Sequence, residues 1–140
     1  MAANKIDSWG DDKIPQHASE LRNWPIQLIF ADPESEYLKN ADILLTAFCA
    51  PFSYENFHKD FIKDKVVLAA CPHMDDLFQN IDKLTEIIKV AKPKSLTVVY
   101  TEAECCYGMV AGVNQAVEES GKSIPVTVRK VSIRNDWLIK

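Results

Sequence analysis

Three short apolar runs constrain what this chain can become. Residues 42–48 (DILLTAF), 65–70 (KVVLAA) and 95–101 (SLTVVYT) are of strand length and apolar on both faces. Strands buried on both faces belong in a parallel sheet covered by helices on either side. The stretches between them carry helical periodicity. Ser53 is placed to cap a helix whose Tyr54, Phe57 and Phe61 share a face. Asp75 or Asp76 is placed to cap the longest helix, with a stripe of Leu77, Phe78, Ile81, Leu84, Ile88 and Ala91 and with Pro93 just past its end. Met109, Val110, Val113, Ala116 and Val117 stripe a further helix, and Gly121 stands where a left-handed residue would end it.

Two weaker runs flank this pattern. Residues 25–30 alternate well enough for a first strand. Asp32-Pro33 then reads as a helix start, leading through Tyr37 and Leu38 to a stop near Asn40. Residues 125–133 read as a last strand at an edge, with one face wet. The expectation is a three-layer α/β/α sandwich, doubly wound, around a mostly parallel sheet of about five strands. Residues 1–23 are polar, with only Trp9 and Ile14 as anchors. They read as an N-terminal leader or arm ahead of a single domain over 24–140.

The 140 residues are 47% hydrophobic, so the chain can bury a core of its own without disulfides or metal. The 16 Lys+Arg against 20 Asp+Glu leave a net charge of -4, which speaks against a nucleic-acid binder. No apolar run approaches the roughly 18 residues of a membrane span, and the first residues lack the pattern of a secretory signal. A cytoplasmic protein is expected, whose cysteines are thiols, metal ligands or redox groups rather than structural disulfides.

The four cysteines are not scattered. Cys49 follows the run at 42–48, Cys71 directly follows that at 65–70, and Cys105 and Cys106 follow that at 95–101. In a parallel sheet all strand C-termini share one edge, and open α/β sheets bind their ligands there. Four thiolates at one edge can hold a tetrahedral zinc ion or an iron–sulfur cluster, since all-sulfur sites favour these over magnesium or calcium. Cys105 and Cys106 also stand just before a helix, where the dipole favours a thiolate. Two other readings stay open: a thiol-based redox enzyme using the Cys105-Cys106 pair, and a zinc-stabilised interaction domain. The site also depends on strand order. A strand intervening between those that carry Cys49 and Cys71 would force the Cys49 loop to arch across it.

The neighbouring polar residues read more simply as structure. His73 suits a solvated loop, and Asp75 and Asp76 suit helix capping. Glu102 and Glu104 are expected to be loop carboxylates, His58 a boundary residue, and His17 carries no signal. The four glycines form no G-x-G-x-x-G or P-loop, and no G-x-S-x-G elbow is present. Gly108 and Gly112 are placed to let their helix approach the sheet or a cofactor.

Longer stretches carry a family resemblance. They include Trp24-Pro25-Ile26-Gln27-Leu28, Cys49-Ala50-Pro51-Phe52-Ser53-Tyr54-Glu55-Asn56-Phe57-His58, Ala70-Cys71-Pro72-His73-Met74-Asp75-Asp76, Lys83-Leu84-Thr85-Glu86-Ile87, Glu104-Cys105-Cys106-Tyr107-Gly108 and Ser120-Gly121-Lys122-Ser123-Ile124-Pro125. Over about residues 20–132 the chain resembles the C-terminal α/β region of ferredoxin-like 4Fe–4S proteins of anaerobic bacteria and archaea. All four cysteines fall on cysteines of that family. The resemblance implies a 4Fe–4S cluster, with zinc as the alternative metal, on Cys49, Cys71, Cys105 and Cys106. It also implies a role in electron transfer or redox sensing with a partner protein. Two features depart from the family. Residues 1–23 hold no cysteine where a ferredoxin-type segment is common, and Glu104-Cys105-Cys106-Tyr107-Gly108 replaces a P-C-C-G-G.

Overall fold

The computed structural model describes residues 19–133. Its sheet has four strands among the described residues: β1 (Asp42–Ala47), β2 (Val66–Ala70), β3 (Ser95–Thr101) and β4 (Val126–Val131). Their order is β2-β1-β3-β4, and every neighbouring pair is parallel. The helices are α1 (Ala50–Ser53), α2 (Leu77–Ala91) and α3 (Gly108–Ser120), with a π-helical turn at His58–Ile62. From β1 the chain steps one way to β2, and then crosses back to β3 and β4. Right-handed crossovers put α2 and α3 on one face and the α1 segment on the other. The class is therefore the doubly wound α/β sandwich. Among the fully buried side chains are Ile43, Leu44, Leu68, Ile87, Leu96 and Val98, which lie on strands and on α2.

The expected strand at 25–30 does not join the sheet as a strand. Only Gln27 makes an isolated parallel bridge, to Ala69. The Asn23 side chain takes the place of a strand backbone. Its amide donates to the Val67 carbonyl at 2.9 Å and accepts from the Val67 N–H at 2.8 Å. The Ala69 N–H then donates to the Ile26 carbonyl at 2.8 Å. Leu28–Phe30 tightens at once into a 3-10 turn that buries Leu28 and exposes Phe30. The outer edge of β2 is covered by a few contacts rather than by a fifth strand.

Other local expectations are corrected for equally local reasons. Pro51 sits in the first turn of α1, so the helix begins before Ser53 and ends on it. Ser53 donates back to the Cys49 carbonyl at 3.0 Å instead of capping a new helix. Tyr54, Phe57 and Phe61 still meet, with ring centroids 5.3 and 5.2 Å apart around Phe61. Asp32 organises a turn by accepting from the Glu34 N–H at 2.9 Å, and only Glu36–Leu38 winds into a 3-10 helix. Phe78, assigned to the stripe of α2, points outward and is 73% exposed. β4 leaves Thr127, Val128, Arg129 and Lys130 exposed, so both of its faces are wet.

The cap of α2 is as expected. Asp76 accepts from the N–H groups of Phe78 at 3.0 Å and Gln79 at 3.2 Å. Removing the oxygen that accepts both bonds in Asp76→Ala is expected to cost about 1 kcal/mol. Thermal unfolding should fall by about 2–4 °C for a chain of this size. At the far end of α3, Gly121 has φ +67 and closes the helix with its N–H on the Glu118 carbonyl, as its position predicts. Among the described residues no helix is long and apolar enough to cross a membrane.

Candidate functional site

Each cysteine loop is held by its own short-range bonds. Cys71 comes directly after β2 and is half-buried. Its N–H donates to the Asp75 carboxylate at 2.8 Å, and the Asp75 N–H donates back to the Cys71 carbonyl at 2.9 Å. Asn80, buried on α2, donates to the same carboxylate oxygen at 3.2 Å. Asp75 is thus a brace for the Cys71 loop, and Asp76 alone caps α2.

Cys105 and Cys106 lie in a 3-10 turn, Glu104–Cys106, between β3 and α3. The Cys106 N–H donates to the Ala103 carbonyl at 2.9 Å. Its sulfur lies 3.1 Å from the hydroxyl of Thr101, the last residue of β3. Cys106 is buried, whereas Cys105 and Cys49 are exposed. Cys49 immediately precedes α1 and is separated from β1 by Phe48 alone. All four are free thiols.

The strand order brings these loops together. β1 lies directly between β2 and β3, so no strand separates Cys49 from Cys71. The three strand ends span two interstrand spacings, about 10 Å. The chain leaves β1 toward one face and β3 toward the other. This is the point at which open α/β sheets form a ligand crevice, and Cys49 and the Cys105-Cys106 pair flank it. Electrostatics registers the same grouping. The Cys105 thiol is pushed above its ordinary value, first by burial, then by Cys106 beside it, and then by Cys71 and Cys49. The thiolate expected at Cys105 from its place before a helix is therefore disfavoured. In the metal-free protein, alkylation of Cys105 should reach its half-maximal rate at a higher pH than that of a free cysteine, about 8.5. Mass-spectrometric mapping of iodoacetamide labelling across pH checks this.

Among the described residues no three His, Cys, Asp or Glu side chains are drawn together as a group able to hold a metal ion. The other polar candidates have structural places. His73 is exposed on the Cys71 loop. His58 accepts from the Glu20 N–H at 3.4 Å and ties the incoming chain to the π-helical turn. Glu102 accepts from the Ile133 N–H at 2.8 Å and fastens the end of β4, while Glu104 is exposed. His17 lies outside the described residues. Gly108 and Gly112 bring α3 against α2 rather than against the sheet. A Cβ on Gly112 would sit 3.3 Å from Leu77, and one on Gly108 3.5 Å from Pro72 beside Cys71.

Fold and cysteine positions together define a parallel α/β domain with four cysteines on the loops at the C-terminal edge of its sheet. Residues 35–140 match the Rossmann-like domain family, and the chain belongs to it. It is similar to an uncharacterized protein of Archaeoglobus fulgidus, 28% identical over 103 residues that span 74% of this chain and 72% of that protein. No solved structure matches the chain.

Proposed function

We propose that this chain is a cytoplasmic redox protein that holds a 4Fe–4S cluster on Cys49, Cys71, Cys105 and Cys106 and serves electron transfer or redox sensing with a protein partner. The observation that carries the reading is the delivery of all four thiols to adjacent strand ends beside the crevice between β1 and β3. A single tetrahedral zinc would ask for four sulfurs about 2.3 Å from one point. A 4Fe–4S cluster takes the same four thiolates on four separate irons. When bound, such a cluster supplies one-electron redox chemistry.

The chain's own residues have definite tasks in this reading. Asp75 and Asn80 hold the Cys71 loop in place. The Thr101 hydroxyl lies within hydrogen-bond distance of the Cys106 sulfur, and a hydrogen bond to a ligand sulfur favours the reduced state of a cluster. Burial of Cys106 and the raised pKa of Cys105 weigh against a reactive thiol pair, because reactive cysteines are exposed and easily ionised. A positive metal centre is what relieves the mutual repulsion of four neighbouring thiolates.

Reconstitution with ferrous iron and sulfide without oxygen tests the proposal. A broad visible absorption that follows the protein through gel filtration is expected. A protein that stays colourless under these conditions but takes up one zinc would favour the interaction-domain reading instead.

A further inference from the structure

Each cysteine loop exposes one large apolar side chain. Phe52 after Cys49 is 93% exposed, Met74 after Cys71 is 80% exposed, and Tyr107 after Cys106 is 64% exposed. Single exposed apolar residues are ordinary, but here one stands on each of the three loops at the same sheet edge. Beside the Cys49 loop lies a groove of about 470 Å³. Its walls include Trp24, Phe48, Pro51, Phe57 and His58, and no Asp, Glu, Lys or Arg lines it. Phe52 is itself part of the groove lining, so the groove opens at the Cys49 loop.

Charge surrounds this apolar face on one side only. Residues 48–56, 71–76 and 102–107 carry Glu55, Asp75, Asp76, Glu102 and Glu104, and no Lys or Arg. None of the five carboxylates forms an ion pair among the described residues. At the opposite edge, the turns into the four strands carry Lys39, Lys63, Lys65, Lys92, Lys94 and Lys122. The lysines suit the helix C-termini that lie there. The cysteine loops are thus net negative, with the cation Lys130 near the end of β4 beside Glu102 and Tyr107, while Asp42 and Asp64 offset part of the lysine charge at the other edge. Such a field orients an approaching partner before contact.

We propose that the cysteine edge is a docking face for a protein with an apolar or aromatic anchor side chain ringed by Lys and Arg. The anchor enters the groove beside Phe52, and the ring meets the exposed Glu55, Asp76 and Glu104. That the partner is a redox protein rests on the redox reading of the site; the docking face itself does not.

Ferric cytochrome c, a small and strongly basic haem protein, is a suitable probe. Its binding is measured by titration calorimetry at low and high ionic strength. Glu55→Lys with Glu104→Lys alters the docking edge, while Glu86→Lys with Glu118→Lys makes the same net change on exposed positions of α2 and α3. The edge pair is expected to weaken binding at low salt by about tenfold or more, and the helix pair by less than about threefold. Phe52→Ser should also weaken it by about tenfold while leaving the salt dependence in place. Equal losses from the two charge pairs would show attraction by net charge alone and overturn the proposal, as would no binding at low salt. Calorimetry needs no electron transfer, so the two readings fail separately. Docking by a chain that takes up no iron would remove the redox reading and keep the face. An iron-loaded chain that does not bind would do the reverse.

Discussion

Cys71→Ser is expected to empty the site of metal and leave the sheet folded. Cys71 is half-buried at the end of β2, and its backbone N–H rather than its sulfur holds the loop to Asp75. Serine preserves that bond and nearly the same shape. It replaces a soft thiolate by a weakly acidic hydroxyl, which is a poor ligand for iron or zinc. The core of β1, β2 and α2 does not involve this side chain. Thermal unfolding of the metal-free variant should lie within about 2–4 °C of the metal-free parent, the shift of a ~1 kcal/mol change. Iron bound after reconstitution should fall from about four per chain to less than one. A variant that keeps its full iron would remove Cys71 from the ligand set. One that fails to fold would show that the loop, rather than the metal, needs the sulfur.

Asn23→Ala is expected to be among the most damaging single changes outside the apolar core. Asn23 is 8% exposed, and its amide meets the Val67 N–H, the Val67 carbonyl and the Pro25 carbonyl. Alanine leaves both polar groups of Val67 without their partner at a buried edge. Each such group costs about 1–3 kcal/mol, so a loss of about 2–6 kcal/mol is expected. That is a large part of the 5–15 kcal/mol, roughly, that stabilises a typical domain. Denaturant unfolding measures it directly. Asn23→Asp adds a check on mechanism. Its carboxylate accepts from the Val67 N–H but faces the Val67 carbonyl oxygen, so it is destabilised when ionised. Its proton is therefore held more tightly in the folded state than in the unfolded one. The deficit of Asn23→Asp relative to the parent should shrink as pH falls through the raised folded-state pKa toward the ordinary aspartate value of about 3.9, and stay constant below it.

Asn23 also shows where reading the sequence stops. Residues 25–30 have the alternation of a strand, and alternation reports which side chains can share a face, not whether an edge is already covered. One amide paired with Val67 covers that edge, and a polar residue 44 positions away in sequence gives no local sign of it. The misplaced start of α1 had a usable signal, because Pro51 suits a first helical turn better than Ser53 suits a cap. Phe78 neighbours Leu77 in the chain, but one residue turns the helix by about 100°, enough to carry the ring out of the core. By contrast, the strands β1, β2 and β3, the Asp76 cap and the Gly121 terminus follow from local chemistry, and the sequence predicts them. The edge shared by the cysteines was legible because it needs only that the strands be parallel. The braces at Asp75, Asn80 and Thr101 were not, since each depends on how a loop closes in space.

The most direct measurement is the iron, zinc and acid-labile sulfide content of the protein purified without oxygen, determined on one sample together with its visible spectrum. The account predicts a brown protein with about four iron and four sulfide per chain and little zinc. A colourless protein with four titratable thiols and neither metal nor sulfide would contradict it.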